Sequence, residues 1–127
     1  MRHIRFRFWD KDLKKMIYRK PAYNDFSHPN IIPQQFTGFT DKFGIDIYEG
    51  DIISDWTETD EGLLESNMQV FWNEPTGSWH LDNSSKQDQT CSVDLWLELN
   101  DFEYAITSNI FEGRKEKIKE KDKQEQA

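Results

Sequence analysis

The sequence predicts a single, mainly β (α+β) domain built as a small antiparallel barrel or meander. Two observations carry this prediction: several short segments alternate apolar and polar residues, and residues that favour turns bound each segment. The length of 127 residues suits one domain, and 5 Trp, 9 Phe and 4 Tyr supply bulky side chains for a modest core.

The N-terminal segment predicts a β-hairpin. In the stretch HIRFRFWD, Ile4, Phe6 and Phe8 share one side of the chain and the arginines share the other, which is the pattern of a half-buried strand. A polar turn, DKDLKK, then leads to a returning strand at residues 16–19. Residues 21–33 hold three prolines and are expected to form a loop, because proline has no N–H to donate to a sheet.

Next comes the segment QFTGFTDKFGIDIYEGDII. A short strand over residues 35–37 is expected to lead into the turn TDKFG, where Asp41 can cap its own backbone and Gly44 can supply a positive φ. Ile45 and Ile47 then alternate in a second short strand.

Gly50 and Asp51 admit two interpretations. They can form a turn into a strand over residues 52–56, with the glycine supplying a positive φ and the aspartate accepting backbone N–H groups. Alternatively, an acidic residue beside a glycine can belong to a ligand loop or a catalytic loop, with acid–base, metal or binding chemistry. The usual role of Gly-Asp in turns favours the structural interpretation.

The C-terminal half contains the clearest hairpin. After a polar loop, TETDEGLLESN, the strands MQVFW and SWHL are joined by NEPTG, whose proline and glycine favour a turn. Met68, Val70 and Trp72 share one face of the first strand. Trp79 and Leu81 of the second strand can pack against that face.

The last part of the chain carries mixed patterns. Residues 82–90 predict a polar loop, and SVDLWLELND fits either an alternating strand or a helix capped by Ser92, of which one or two helical turns are favoured. The stretch YAITSNIF returns to strand. The domain is expected to span residues 1–113, because residues 114–127 have too few apolar side chains to bury a face and predict a charged tail, either disordered or a solvated helix.

Charge is divided unevenly along the chain, whose net charge is −8. Residues 1–20 hold eight Lys/Arg and two Asp, a net charge of +6, whereas residues 21–113 hold two Lys and eighteen acids, a net charge of −16. The acidic middle argues against contact with a nucleic-acid backbone over most of the surface, because such contact needs clustered Lys/Arg. Opposite charges of this kind are expected to meet within one chain or across two subunits of an oligomer.

This division of charge suggests a hypothesis of self-association. If the aromatic face of the first strand packs into its own barrel, Arg5 and Arg7 point outward and can pair with the acidic middle of a neighbouring subunit. In the alternative, the two arginines cover acids of their own chain.

No complete catalytic or metal-binding constellation is present in the sequence. The 3 His share no metal-ligand spacing, Cys91 has no second cysteine nearby, and the common phosphate-binding and hydrolase motifs are missing. Both Cys91 and His80, the latter on the outward phase of its strand, are more simply packing or surface residues than catalytic ones. The candidate carboxylates for a hydrolytic pair are Asp10, Asp41, Asp46, Glu49 and Asp51. Nothing supplies a matched base, so the sequence predicts no enzyme and no cofactor.

Two further properties bound the class of protein. The 5 Trp could stack nucleic-acid bases, but in a small barrel they are expected mostly in the core. One cysteine cannot form an internal disulfide, and no apolar run approaches the roughly 18 residues of a membrane span. A cytoplasmic protein without membrane contact is therefore expected.

Four segments, in this order, together resemble the YopX family of phage and prophage proteins: MRHIRFRFWDKDLKKM, QFTGFTDKFGIDIYEGDII, the VFW…W hairpin and AITSNIFEG. They cover residues 1–113. The family pattern is matched at Thr37, Gly38, Asp41, Gly44, Ile47, Tyr48, Glu49, Gly50 and Asp51, and then at Asn109, Ile110 and Glu112. Phe36, Ser108 and Phe111 stand where Tyr, Gly and Tyr are usual, so no role of those tyrosine hydroxyls carries over.

The resemblance implies a mainly β protein with a small SH3-like barrel, found in oligomeric form, and it carries no established biochemical activity. The first functional hypothesis is a phage accessory protein of the bacterial cytoplasm, which forms homo-oligomers and binds a host or phage protein. The alternative is an acidic decoy that occupies a DNA-binding protein, with carboxylates arrayed like phosphates on one face. A nucleic-acid-binding barrel is the third hypothesis.

Overall fold

The computed structural model describes residues 4–82 and 92–113. Its strands are β1 (Phe6–Asp10), β2 (Lys15–Tyr18), β3 (Ile31–Thr40), β4 (Asp46–Tyr48), β5 (Asp51–Thr59), β6 (Gly62–Asn73), β7 (Ser78–Asp82), β8 (Val93–Asp94) and β9 (Ala105–Asn109), with helix α1 (Leu95–Asp101) before β9. All the strand pairs are antiparallel. The predicted mainly β fold with a small antiparallel barrel is confirmed.

The strands form two sheets. The first has the order β2-β1-β3-β4 and contains the predicted N-terminal hairpin, in which Phe8 lies opposite Ile17. The second has the order β8-β7-β6-β5-β9 and contains the predicted hairpin of β6 and β7. A register shift between Ile52 and Ile53 in the pairing of β5 with β9 bends the second sheet, since a bulge increases local twist.

The main hydrophobic core lies against the second sheet. Its buried members are Ile47, Ile53, Val70, Trp79, Leu81, Leu95, Tyr104 and Ile106. Ile47 comes from β4 of the first sheet and Leu95 from α1, so both elements cover the inner face of the second sheet. Full burial of one such aliphatic side chain stabilises the fold by roughly 1.5–3 kcal/mol.

A smaller aromatic cluster supports the first sheet. Phe8 is fully buried, and its ring lies 6.4 Å from that of Phe6 and 6.2 Å from that of Phe26. Phe26 comes from the loop after β2, and a pair of hydrogen bonds from Arg19 to Asp25, of 2.6 and 2.7 Å, holds this loop. The arginine and the N–H of Ala22, which also donates to Asp25, lower the pKa of that carboxyl to about 2.

Three local predictions were wrong. The stretch TETDEGLLESN is not a loop, because β5 and β6 continue through it and turn only between Thr59 and Gly62. The loop predicted over residues 21–33 ends earlier, because β3 begins at Ile31 and includes Pro33. At Pro33, β3 pairs only with β1 among the described strands, so the missing N–H of the proline interrupts no pairing with a second neighbour. Ser92 does not cap α1; instead Asp94 accepts the N–H of Leu97 at 3.2 Å.

Several predictions fall outside the described residues. They concern His3, Cys91, most of the polar loop at residues 82–90 and the tail at residues 114–127, so the domain boundary at residue 113 stays a prediction. Across residues 4–82 and 92–113, no helix combines the length and the apolar character needed to cross a bilayer.

Candidate functional site

An ion pair with both side chains buried joins the two sheets. Nη2 of Arg7, in β1, lies 2.8 Å from Oδ1 of Asp51, the first residue of β5, and each side chain is only 1% exposed. Nε of Arg7 donates to Oε1 of Gln34 at 2.7 Å. We call Arg7, Gln34, Tyr48, Gly50 and Asp51 the junction.

Gly50 and Asp51 form the turn that delivers the chain into β5. The backbone N–H of Tyr48 donates to Oδ2 of Asp51 at 2.8 Å, and Gly50 has a φ of +84°. A Cβ at Gly50 would lie 2.2 Å from Nε2 of Gln34, so only glycine lets the turn approach β3 this closely. This geometry agrees with the structural interpretation of the Gly-Asp pair.

The charge of Arg7 is balanced within the chain. Besides the carboxylate of Asp51, the guanidinium contacts the carbonyl of Glu49 at 3.3 Å and lies 4.9 Å from the ring centre of Tyr48. Burial raises the pKa of Tyr48, so its phenol stays neutral. The junction therefore holds the sheets together and carries no excess positive charge for an anionic ligand.

The expectation that the arginines of β1 point outward was wrong for Arg7. Arg7 does not point outward, because the turn from β4 to β5 covers that face of β1 and supplies Asp51. Arg5 is half-exposed, but it pairs with Asp46 of its own chain at 3.1 Å. The acids of the same chain thus satisfy both arginines.

The C-terminal part of the family pattern is hydrogen-bonded to the same turn. Asn109 accepts the N–H groups of Phe111 and Glu112 at 2.9 and 2.8 Å, and its amide donates to the carboxylate of Glu112 at 2.9 Å. The N–H of Ile110 donates to the carbonyl of Gly50 at 2.9 Å. Phe111 stacks on Trp9, with ring centres 5.2 Å apart, so this segment ties β1 to the end of β9.

The remaining residues of the pattern shape the turn between β3 and β4. Asp41 accepts the N–H groups of Phe43 and Ile45 with one oxygen, and that of Ile106 in β9 at 3.1 Å with the other. Thr37 donates its hydroxyl to the carbonyl of Ile47 at 2.8 Å. Gly38 and Gly44 take positive φ values, and Glu49 accepts the N–H of Gln35 at 3.3 Å. Each of these residues therefore contributes a hydrogen bond or a backbone conformation that shapes the fold.

A cavity of about 220 Å³ lies beside the junction. It is lined by Arg7, Tyr18, Ile45, Asp46, Tyr48, Asp51 and Ile106. Typical sites for small molecules occupy roughly 300–1,000 Å³. Because its arginine and Asp46 already have charged partners, the cavity offers few groups for recognising a ligand.

The other candidate catalytic or metal-binding side chains do not lie together in one site. Asp10 caps the turn after β1, and His80 is buried, where its Nδ1 lies 2.9 Å from the hydroxyl of Ser92. His80 is therefore not on the outward surface; Ser92 contacts its ring, and β8 pairs with β7 at His80. Within the described parts of the chain, no three His, Cys, Asp or Glu side chains are arranged to hold a metal ion.

The tryptophans are divided between core and surface. Trp79 is buried, but Trp72 and Trp96 are exposed, so the expectation of a mostly internal set was wrong. Trp72 lies opposite Trp79 near the end of the β6–β7 hairpin, with ring centres 5.0 Å apart. Trp96 lies on the outer face of the short helix α1.

Among the described residues, one highly exposed pair of strands was not recognised from the sequence pattern. Residues 55–66 of β5 and β6, which we call the arm, lie beyond the pairing of β5 with β9 and of β6 with β7, so among the described residues the two arm strands pair only with each other. Leu63 is 69% exposed and Leu64 is 60% exposed. They lie opposite Glu58 and Thr57, so each face of the arm carries one leucine.

A second exposed surface lies at the turn between β1 and β2. Residues 11–15, which we call the basic turn, contain three lysines and Leu13, whose exposure is 68%. Oδ1 of Asp10 accepts the N–H groups of Asp12 and Leu13 at 2.9 and 3.0 Å, which fixes the shape of this turn.

Comparisons with known proteins agree with this architecture. The crystal structure of protein EF1440 from Enterococcus faecalis is similar to this chain with a TM-score of 0.64 at 18% identity, and the match covers 87% of this chain and 95% of that one. No curated protein matches the chain. The family model described as YopX protein matches residues 20–113, a span that begins after the N-terminal hairpin included in the sequence resemblance. The chain, with the turn, junction and C-terminal motif described above, belongs to the YopX protein family.

Proposed function

We propose that this protein is a non-enzymatic phage or prophage accessory protein that acts in the bacterial cytoplasm as a self-associating protein-interaction module. It needs no cofactor in this role, and its partners are further copies of the same chain together with a host or phage protein. The arm is the observation that carries the proposal.

An unsupported arm of two strands is a poor structure in isolation. A two-stranded hairpin is marginally stable in water, and open strand edges are templates for pairing with another chain. The arm combines these edges with exposed Leu63 and Leu64. A neighbouring subunit that packs on either face would cover one leucine, remove apolar surface from water and stabilise the arm.

The non-enzymatic part rests on how the carboxylates are used. Asp41 and Asp51 accept backbone N–H groups, and Asp46 pairs with Arg5. A general acid or base needs a proton-transfer partner within reach of a substrate. These groups are instead committed to turns and ion pairs, which supports an architectural role.

The decoy hypothesis receives less support. A phosphate mimic needs its carboxylates exposed in rows on one face, whereas Asp25, Asp41 and Asp51 are buried. A nucleic-acid-binding barrel needs clustered exposed Lys/Arg, and Arg7 is buried, so it cannot join the exposed lysines of the basic turn in such a cluster.

Sedimentation velocity over a wide range of protein concentration tests the proposal. We expect the wild-type chain to self-associate and the double variant Leu63→Ser/Leu64→Ser to sediment as a monomer, because the apolar contact is lost. The matched control is Leu97→Ser, which removes an exposed leucine from α1, away from the arm. A wild-type chain that stays monomeric at every concentration, or an arm variant that keeps the wild-type mass, contradicts the proposal.

A further inference from the structure

The arm and the basic turn carry opposite charge around similar apolar centres. The tip of the arm presents exposed Glu58, Asp60 and Glu61 beside Leu63. The basic turn presents exposed Lys11, Lys14 and Lys15 beside Leu13. An apolar centre within a charged rim is the usual composition of a specific protein interface.

Within residues 4–82 and 92–113, these six charged side chains form no ion pair. The ion pairs formed among the described residues belong to other side chains, in particular Arg5, Arg7, Arg19 and His80 with their aspartates. The tip and the turn therefore each present charge of one predominant sign to a partner.

We infer that the arm tip of one copy docks on the basic turn of a neighbouring copy, an inference that rests on the proposed self-association. Leu63 packs against Leu13 at the centre of this contact. The carboxylates of the tip surround the centre and pair with the lysines of the turn, which fixes the register and excludes contacts between two tips or two turns. In this contact the lysines of the basic turn, and not Arg7, pair with the acids of a neighbouring subunit.

The receiving surface is already held in shape. Besides the two hydrogen bonds to Asp10, the N–H of Lys11 donates to the carbonyl of Asn30 at 2.9 Å, and the amide of Asn30 donates to Asp12 at 3.1 Å. A turn ordered before association loses less conformational entropy when it binds.

The two surfaces are different, which limits the possible assemblies. In a twofold dimer, each copy gives its arm to the other and the contact forms twice. Otherwise the contact repeats head to tail, and the assembly closes into a ring when the rotation between subunits permits. In either case one copy uses both surfaces, so loss of either one disrupts the assembly.

Charge reversal tests the contact. The turn variant carries Lys11→Glu, Lys14→Glu and Lys15→Glu, and the arm variant carries Glu58→Lys, Asp60→Lys and Glu61→Lys. Each variant alone should associate about tenfold more weakly or worse, because like charges then face each other. An equimolar mixture of the two should regain association, since each reversed surface meets a complementary one.

The combined variant is the matched control, because three reversals in each direction leave the net charge at −8. We expect it to self-associate like the wild type. The changed residues are all exposed, and circular dichroism checks that each variant folds. Carbodiimide cross-linking of a mixture of isotope-labelled and unlabelled wild-type chains gives a second measurement, with lysines of the turn expected to link to carboxylates of the tip between copies.

The outcomes separate this inference from the proposed function. Self-association that neither reversal weakens overturns the contact and leaves the proposed function standing. A loss in the single variants that neither the mixture nor the combined variant repairs also overturns it, as does the absence of turn–tip cross-links between copies. A monomeric wild type overturns both.

Discussion

The junction and the arm are opposite in construction. At the junction, an arginine and an aspartate are buried together, and β3 and β4 each contribute a hydrogen bond to the pair. In the arm, two strands extend from the sheet with exposed leucines and acids and, among the described residues, no third strand beside them. One region satisfies its polar groups internally, and the other leaves apolar and charged surface for a partner.

This difference separates the residues that hold the fold from the residues that are available to a partner. The residues that carry the family resemblance, such as Asp41, Gly50 and Asn109, close turns and join strands that are distant in sequence. The hydrogen bonds of these residues hold the two sheets in one arrangement. None of the pattern positions named above lies in the arm, which has the composition of an interaction surface.

The largest expected effect lies at the junction. Arg7→Met should lower the free energy of unfolding by about 3–5 kcal/mol, because it leaves the carboxylate of Asp51 buried without its partner. Arg5→Met is the matched control, since it breaks the exposed pair with Asp46, and such pairs contribute only about 0–1 kcal/mol. Urea denaturation measures both values. Equal losses for the two variants would remove the distinction between the buried and the exposed pair.

The turn of the junction can be tested with two alanine substitutions. Gly44 and Gly50 have similar φ values, +78° and +84°, but a Cβ at Gly44 meets no atom within 4 Å. Gly44→Ala should therefore cost only the left-handed backbone penalty of roughly 1–2 kcal/mol. Gly50→Ala adds the collision with Gln34, for a total of roughly 2–5 kcal/mol. Thermal or urea unfolding that ranks the two variants equally is inconsistent with close packing at Gly50.

A smaller, pH-dependent effect is expected at Asp25. Its pKa in the folded chain, about 2, lies below the ordinary value of 3.8, so the unfolded chain takes up the proton first as the pH falls. The ionised carboxylate stabilises the fold above pH 3.8, and this contribution disappears as the pH falls toward 2. The difference in unfolding free energy between wild type and Asp25→Asn should shrink over that range.

The matched control for this pH series is Asp60→Asn, which removes an exposed carboxylate at the arm tip. A difference between wild type and Asp25→Asn that stays constant from neutral pH to pH 2 would show that the charge of Asp25 does not stabilise the loop.

The smallest effect on stability is expected in the arm. Leu63→Ser should change the unfolding free energy of the monomer by less than about 0.5 kcal/mol, since a mostly exposed side chain loses little on truncation. The measurement is made at a protein concentration where the wild type is monomeric. A loss comparable to that of Arg7→Met would place Leu63 among the residues that hold the fold.

Local patterns predicted much of the fold. The hairpins of β1 with β2 and of β6 with β7 follow from alternating residues around turns that the sequence marks clearly. The arm was missed because exposed strands with polar residues on both faces lose the alternation that identifies a strand. The only local signals were the β-branched Thr57 and Thr59 before the turn.

The candidate site was harder to predict because its contacts are not local. Arg7 lies on the polar side of an alternating strand, which normally faces water, and only the arrival of the turn at Asp51 buries it. The bond from Ile106 to Asp41 likewise joins residues with no shared sequence pattern. The turn at Gly50, by contrast, could be assigned from glycine and aspartate alone.

The stack of Trp9 on Phe111 has a consequence for synthesis of the protein. A ribosome adds about 5–20 residues per second, so roughly 5–20 s pass between the translation of the first of these rings and that of the second. During this time the nascent chain carries β1 and its aromatic residues without the segment that completes their burial. Trp9 and Phe111 therefore come together only after the segment that follows β9 emerges, and such distant pairings form more slowly than local ones.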